Sequence, residues 1–145
     1  MTSGFLASEQ AAYLAGLIDG DGYIGILRRR APRLRVGYAY QAHVEVSSVF
    51  EEFLRGIQEM VGSGCWKRMQ RGYKSHRPVY HVTFTPNTVR WLLPLLIPHL
   101  RLKKAQAIMV LEYLSKVKRG RHGHNPRSDE LYMKVKLLNR RGRST

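Results

Sequence analysis

Cysteine is nearly absent: Cys65 is the only one in 145 residues. No intramolecular disulfide can form, and a cysteine-built zinc site has no ligand set. This composition suits a reducing, intracellular setting, with cytoplasm and organelle left undistinguished. Long apolar runs are also missing. The most apolar stretch, Trp91 to Ile97, is broken by Pro94 and falls far short of the roughly 20 residues a bilayer-spanning helix needs. Met1 to Gln10 carries neither the basic segment nor the apolar run of a secretory signal, so a soluble protein with no membrane partner is expected. Acidic residues are scarce as well. Ten Asp and Glu stand against 25 Lys and Arg, a formal charge of +15. From Met60 through Leu111 there is no acidic residue and there are nine Lys or Arg. Lys116 to Arg143 adds ten more against Asp129 and Glu130. Such density implies a polyanionic partner, because each cation near a phosphate releases condensed counterions. A membrane-surface helix would set large exposed apolar residues opposite its charges, and no basic segment here does so.

What remains is sufficient for one compact domain, since 43% of the residues are hydrophobic. A helix is expected from about Ser8, as N-cap, to Asp19, with Glu9 in its first turn. At 100° per residue, Leu14, Leu17 and Ile18 share one face, and Ala12, Ala15, Gly16 and Asp19 share the other. Neither face of the last two turns bears a long charged side chain, so both are expected to be covered. The small face permits close approach of another backbone, which a second subunit would supply. Gly20 and Gly22 stop the helix. Tyr23 to Arg30 and Tyr38 to Ser47 read as strands around Ala31-Pro32-Arg33. Ile24, Ile26, Tyr40, Ala42, Val44 and Val46 point inward. Ser48-Val49-Phe50-Glu51 has the spacing of a capping box and predicts a helix ending at Gly62-Ser63-Gly64. The pattern recurs: a hairpin of Cys65 to Arg71 and Pro78 to Thr85, a helix from about Asn87 disturbed by Pro94 and Pro98, then a helix from Lys103 to Arg119 closing at Gly120. Asp129 to Asn139 predicts a short last helix after a loop at His122 to Arg127. The fold class is therefore α+β, in αββαββα order, an antiparallel sheet backed by helices. One domain spans 1–145, with its core over about 8–119 and a basic C-terminal extension.

Tyr13-Leu14-Ala15-Gly16-Leu17-Ile18-Asp19-Gly20-Asp21-Gly22 resembles the signature of the LAGLIDADG homing endonucleases, departing from the nominal string only at Gly20. Pro98 to Ala107 is similar to the stretch that ends the family core and carries its catalytic lysine, here Lys103, with Lys104 beside it. The resemblance implies that the motif helices of two subunits pack along a twofold axis, with Ala12, Ala15, Gly16 and Asp19 at the dimer interface. It implies that Asp21 emerges beneath the DNA as catalytic and metal-binding carboxylate, joined by the Gly20 carbonyl. Hard oxygen ligands suit Mg²⁺, with Mn²⁺ or Ca²⁺ as other possible occupants. One chain brings one such Asp, so cleaving both strands of double-stranded DNA calls for a homodimer and a near-palindromic target. Asp19 reads as structural. The polar residue the family carries near the end of the second strand is represented only by Ser47 and Ser48. Ser48 is the catalytic candidate of that pair, although capping alone would explain it, and Glu51 and Glu52 replace the usual basic residue.

The hairpins are expected to form a saddle reading the major groove. Leu27, Arg29, Gln41, His43 and Glu45 face outward on the first, and Lys67, Met69 and Arg71 on the second, with His76 and Arg77 near its turn. The orientation of His81 and Thr83 depends on whether a bulge intervenes. Arg28, Arg30, Arg33, Arg35 and Lys74 fit phosphate contacts, as do Arg140, Arg141 and Arg143 after the last helix. Trp66, Phe84 and Trp91 read as core. A calcium loop at Asp19 to Gly22 fails on spacing, because Ile24 and Arg30 occupy the positions that require Gly and Glu. His122 and His124 have no further ligand cluster nearby. Two other functions fit the charge: a non-cleaving nucleic-acid binder of this fold, such as an intron RNA maturase or a regulator, and a basic structural protein. The second does not require a small-faced helix ending in Asp-Gly-Asp-Gly.

Overall fold

The computed structural model describes residues 5–62, 64–72, 77–117 and 126–141. In these, five helices and four strands follow the expected αββαββα order, with two further helices at the end. They are α1 (Ser8–Asp21), β1 (Gly22–Arg30), β2 (Tyr38–Ser48), α2 (Glu51–Val61), β3 (Cys65–Gln70), β4 (Val79–Phe84), α3 (Pro86–Leu96), α4 (Lys104–Ser115) and α5 (Pro126–Arg141). The strands form one antiparallel sheet in the order β1-β2-β4-β3. Helices pack on the face made by Ile24, Ile26, Tyr40, Ala42, Val44, Val46, Val82 and Phe84, all under 5% exposed. The alternation that predicted the inward residues of β1 and β2 holds throughout the first hairpin.

Helix ends depart from expectation for local reasons. Ala7, not Ser8, is the N-cap of α1, and the Gln10 side chain accepts the Ala7 N–H. Gly20 does not stop this helix, which runs on to Asp21 and passes directly into β1 at Gly22. The capping box does not form. Ser48 ends β2, and its hydroxyl accepts the N–H of Phe50, the true N-cap of α2. Glu51 turns instead to Lys67 on β3. Thr85 caps α3 by accepting the Thr88 N–H. That helix passes through Pro94 before tightening to a 3₁₀ turn over Ile97–His99. α4 ends at Ser115, short of Arg119, where Arg90 donates to the carbonyls of Leu114 and Val117 (2.7 and 3.3 Å). α5 is longer than predicted, beginning inside the expected loop and continuing through Arg141. Leu131 and Val135 bury it against the core, Tyr132 stacks on Tyr40 at 5.1 Å, and Asp129 accepts the hydroxyls of Tyr38 and Tyr40.

Candidate DNA-cleavage site

The end of α1 meets the start of α4 in a reciprocal clamp. The Asp19 carboxylate accepts the backbone N–H groups of Arg101, Leu102 and Lys103 at 2.7, 3.1 and 3.0 Å. In return, the Lys103 ammonium donates to the carbonyls of Ile18 and Asp19 at 2.9 and 2.8 Å. The charge signs match the helix ends: a carboxylate serves the N–H groups entering α4, and a cation serves the last carbonyls of α1. Burial pushes the Lys103 ammonium below the usual lysine range, against the opposing pull of Asp19 and Asp21. Asp19 is thus committed to structure.

Two residues on, Asp21 is exposed, and its carboxylate makes no hydrogen bond or ion pair among the described residues. It lines a cleft of about 750 Å³ together with Gly20, Glu45, Ser47, Lys103, Gln106 and Asn139. No group of three or more His, Cys, Asp or Glu among the described residues is arranged to hold a metal. Among the described residues, the cleft therefore offers one carboxylate without a partner, Asp21, plus last-turn carbonyls such as that of exposed Gly20. That set fits a hard divalent ion only when further oxygens arrive from outside the chain.

The outer face of α1 is small and open. Ala12, Gly16 and Gly20 are exposed, and a Cβ built on either glycine meets nothing within 4 Å. Tyr13 beside them is 53% exposed. Ala15, expected on this face, turns the other way and is wholly buried with Ala11, Leu14 and Ile18. Leu17, expected on the buried face, is only half-buried.

The sheet face away from the helices carries Leu27, Arg29, Gln41, His43 and Glu45, as predicted. His81 and Thr83 share that face through the pairing of Glu45 with Thr83 and of Ser47 with His81. β3 has the opposite orientation from the one expected. Trp66 and Arg68 pair with Thr83 and His81, so Trp66, Arg68 and Gln70 lie on the open face, and Trp66 is 43% exposed, not core. Lys67 lies on the helix face, where it pairs with Glu51 and sits over the Tyr80 ring. Met69 shares that face and is 48% exposed. Edge strand β3 tolerates this because a long lysine stem can cover apolar surface while its charge finds a partner. Arg28 also belongs to the helix face, with its guanidinium over the rings of Tyr38 and Tyr132, and Arg30 has the same parity. Arg33, Arg35, Arg71, Arg77 and Arg140 are exposed. Lys74, His76 and Arg143, like His122 and His124, lie outside the described residues, as does the side chain of Arg141.

Sequence reasoning passed over the polar cluster on the open face. The Ser47 hydroxyl lies 2.7 Å from His81 Nδ1, and His81 Nε2 lies 3.1 Å from Gln70 Oε1. Glu45 lies within 3.4 Å of both His81 and Arg68. Hydrogen bonding to His43 is the main cause that lowers the Glu45 pKa, with charge attraction from His43, His81 and Arg68 added and burial opposing. Burial holds the His81 imidazole below its ordinary range. Ser47, not Ser48, lines the cleft with Asp21.

The sequence profile of the LAGLIDADG endonuclease family matches residues 14–114, most of the chain. The chain belongs to the LAGLIDADG endonuclease family. Comparison with curated protein sequences finds no match. Among solved structures, the chain is similar to the homing endonuclease I-CvuI in complex with the I-CreI target in the presence of Mg, with the DNA not cleaved. The identity is 24%, the match covers 90% of this chain and 82% of that one, and the TM-score is 0.70. It is also similar to the archaeal intron-encoded homing endonuclease I-Vdi141I complexed with DNA, at 19% identity, 90% and 84% coverage and a TM-score of 0.72. The match to the meganuclease I-SmaMI bound to uncleaveable DNA has 12% identity and a TM-score of 0.64. It covers 88% of this chain but 42% of that one. The family profile thus runs from within α1 through α4, and α5 lies beyond it.

Proposed function

We propose that this protein is a homodimeric homing endonuclease that cuts both strands of a long, near-palindromic double-stranded DNA target, using Mg²⁺. The observation that carries this reading is Asp21, an exposed and uncommitted carboxylate at the foot of a helix whose outer face is small and open. A twofold packing of two α1 helices along Ala12, Gly16 and Gly20 would bring two Asp21 carboxylates together, and the symmetry would set the symmetry of the target. The coverage favours two copies. The chain accounts for most of I-CvuI and I-Vdi141I but under half of I-SmaMI, as one half of a longer protein would.

Asp21 and the Gly20 carbonyl would hold the ion, with DNA phosphate and the second subunit completing an all-oxygen shell. When bound, the ion supplies an activated water and neutralises charge that develops on the phosphate. Lys103 fixes the end of α1 and sets a positive charge beside the reacting phosphate. The open sheet face would offer Arg29, Gln41, His43, Glu45, Arg68 and Gln70 to base edges, while the exposed Arg33, Arg35, Arg71 and Arg77 would contact backbone phosphates.

The test is digestion of a randomised double-stranded DNA library with Mg²⁺ and, in parallel, with EDTA. Metal-dependent cutting at one long, nearly palindromic sequence is the expected result. Tight DNA binding with no cutting under any divalent ion would overturn the nuclease reading in favour of a binder, and structured RNA would be the next ligand.

A further inference from the structure

We propose that Asn139, near the end of α5, is a positioning residue for the cleavage reaction, tying the strand that leaves Asp21 to the helix that follows Lys103. The Asn139 Nδ2 donates to the Ile24 carbonyl at 3.1 Å, and its Oδ1 accepts from Gln106 Nε2 at 3.3 Å. Ile24 lies three residues beyond Asp21, and Gln106 three beyond Lys103. Both amides line the cleft that holds Asp21 and Lys103, and Gln106 is 6% exposed. The arrangement admits one orientation only. A carbonyl can accept but not donate, so the Asn139 nitrogen must face Ile24 and its oxygen must face the Gln106 amide. Aspartate would put an acceptor against an acceptor, and an apolar residue would leave the near-buried Gln106 without its partner.

The clamp of Asp19 with Lys103 joins α1 to α4 on one side of the cleft. The Asn139 bridge joins β1 to α4 on the other. Asp21 sits at the junction of α1 and β1, so it is held relative to Lys103 from both sides only when Asn139 is in place. Ile24 and Gln106 lie inside the segment matched by the family profile, and Asn139 lies beyond it.

α5 does not depend on Asn139 for docking. Asp129 accepts the hydroxyls of Tyr38 and Tyr40, Arg127 pairs with Glu112, and Leu131 and Val135 are buried. Asn139→Ala is therefore expected to fold. Because displacement of a reacting group by about 1 Å can cost about a hundredfold in rate, the variant should lower the single-turnover cleavage rate about tenfold or more. Target affinity should stay within about threefold.

The inference rests on the nuclease reading, and two measurements keep their failures apart. The first compares single-turnover cleavage and equilibrium binding of the wild type, Asn139→Ala, Asn139→Asp, Gln106→Ala and the Asn139→Ala/Gln106→Ala pair. Equal losses in both alanine variants and in the pair are expected, because one bridge is broken in each. The second follows backbone amide resonances by NMR without DNA or metal. Asn139→Ala should shift those of Asp21, Gly22 and Lys103 while the melting temperature stays within a few degrees. Wild-type protein that cuts no DNA would overturn the nuclease reading, and Asn139 with it as a residue of that reaction. Wild-type cutting with unmoved resonances and an unchanged rate in Asn139→Ala would overturn the bridge alone. A rate loss matched by an equal loss of affinity and melting temperature would also overturn it, as plain destabilisation.

Discussion

At the scale of single residues, the two aspartates of the motif have separate work. Asp19 accepts three backbone N–H groups, and Asp21 makes no hydrogen bond or ion pair among the described residues. Asp19→Ala should therefore destabilise the fold by about 2 kcal/mol, since several donors lose a charged acceptor. A denaturant titration checks this, and an unchanged midpoint would contradict the clamp. That Asp19 serves structure was legible from its place at the helix end. That its partners are the amides of residues 101–103 was not, because no local pattern records a contact across more than 80 residues. His81 gives a pH prediction. Burial holds its folded-state pKa below the ordinary 6.5, so the folded state disfavours the proton that the unfolded chain accepts. Its contribution to stability is present above that ordinary value and is lost as the pH falls from there through the lower folded-state value. Glu45, also lowered, loses stability in the same direction at more acidic pH. His81→Gln should lose less melting temperature than the wild type between about pH 7 and about pH 5. Identical slopes would contradict the assignment.

At the scale of elements, α1 is held by close contact on one side and left open on the other. A Cβ on Gly22 would lie 2.6 Å from the Ile18 Cα and 2.9 Å from the Glu45 carbonyl oxygen. Both are backbone, and neither can swing aside. Gly22→Ala should cost about 2 kcal/mol or more through forced backbone shifts, read as a lower denaturation midpoint. Gly16 is the reverse case, with open space around its Cβ position. Gly16→Leu should leave the protomer folded by circular dichroism yet shift the light-scattering mass at micromolar concentration from dimer to monomer. A dimeric Gly16→Leu would contradict the proposed interface. The first hairpin could be read from its alternation because both its strands lie over the helix layer. β3 could not, because its helix-side positions are filled by Lys67 and Met69, and its open face by Trp66. There the usual equation of polar with outward fails. The sequence pattern starts α5 only at Asp129 because Pro126 and Arg127 look like loop, yet proline is at ease in a first helical turn.

At the scale of the whole molecule, a formal charge of +15 per chain, doubled in a dimer, implies steep salt dependence. Raising monovalent salt from about 50 to about 200 mM should weaken target binding about a thousandfold or more. A shallow slope would mean that few phosphates are neutralised. The motif made the overall architecture legible because a helix with one apolar and one small face, ending in a carboxylate, satisfies packing and chemistry at once. The path of the chain beyond α4 was not legible, because α5 docks through tyrosine hydroxyls, stacked rings and one asparagine, which leave no periodic trace. Asp21 is expected to support cutting and not binding. The most direct test is Asp21→Asn on the target recovered from the library, with binding and single-turnover cleavage measured in the same Mg²⁺ buffer. Affinity near that of the wild type with cleavage abolished is the predicted result. Undiminished cleavage by Asp21→Asn would contradict it.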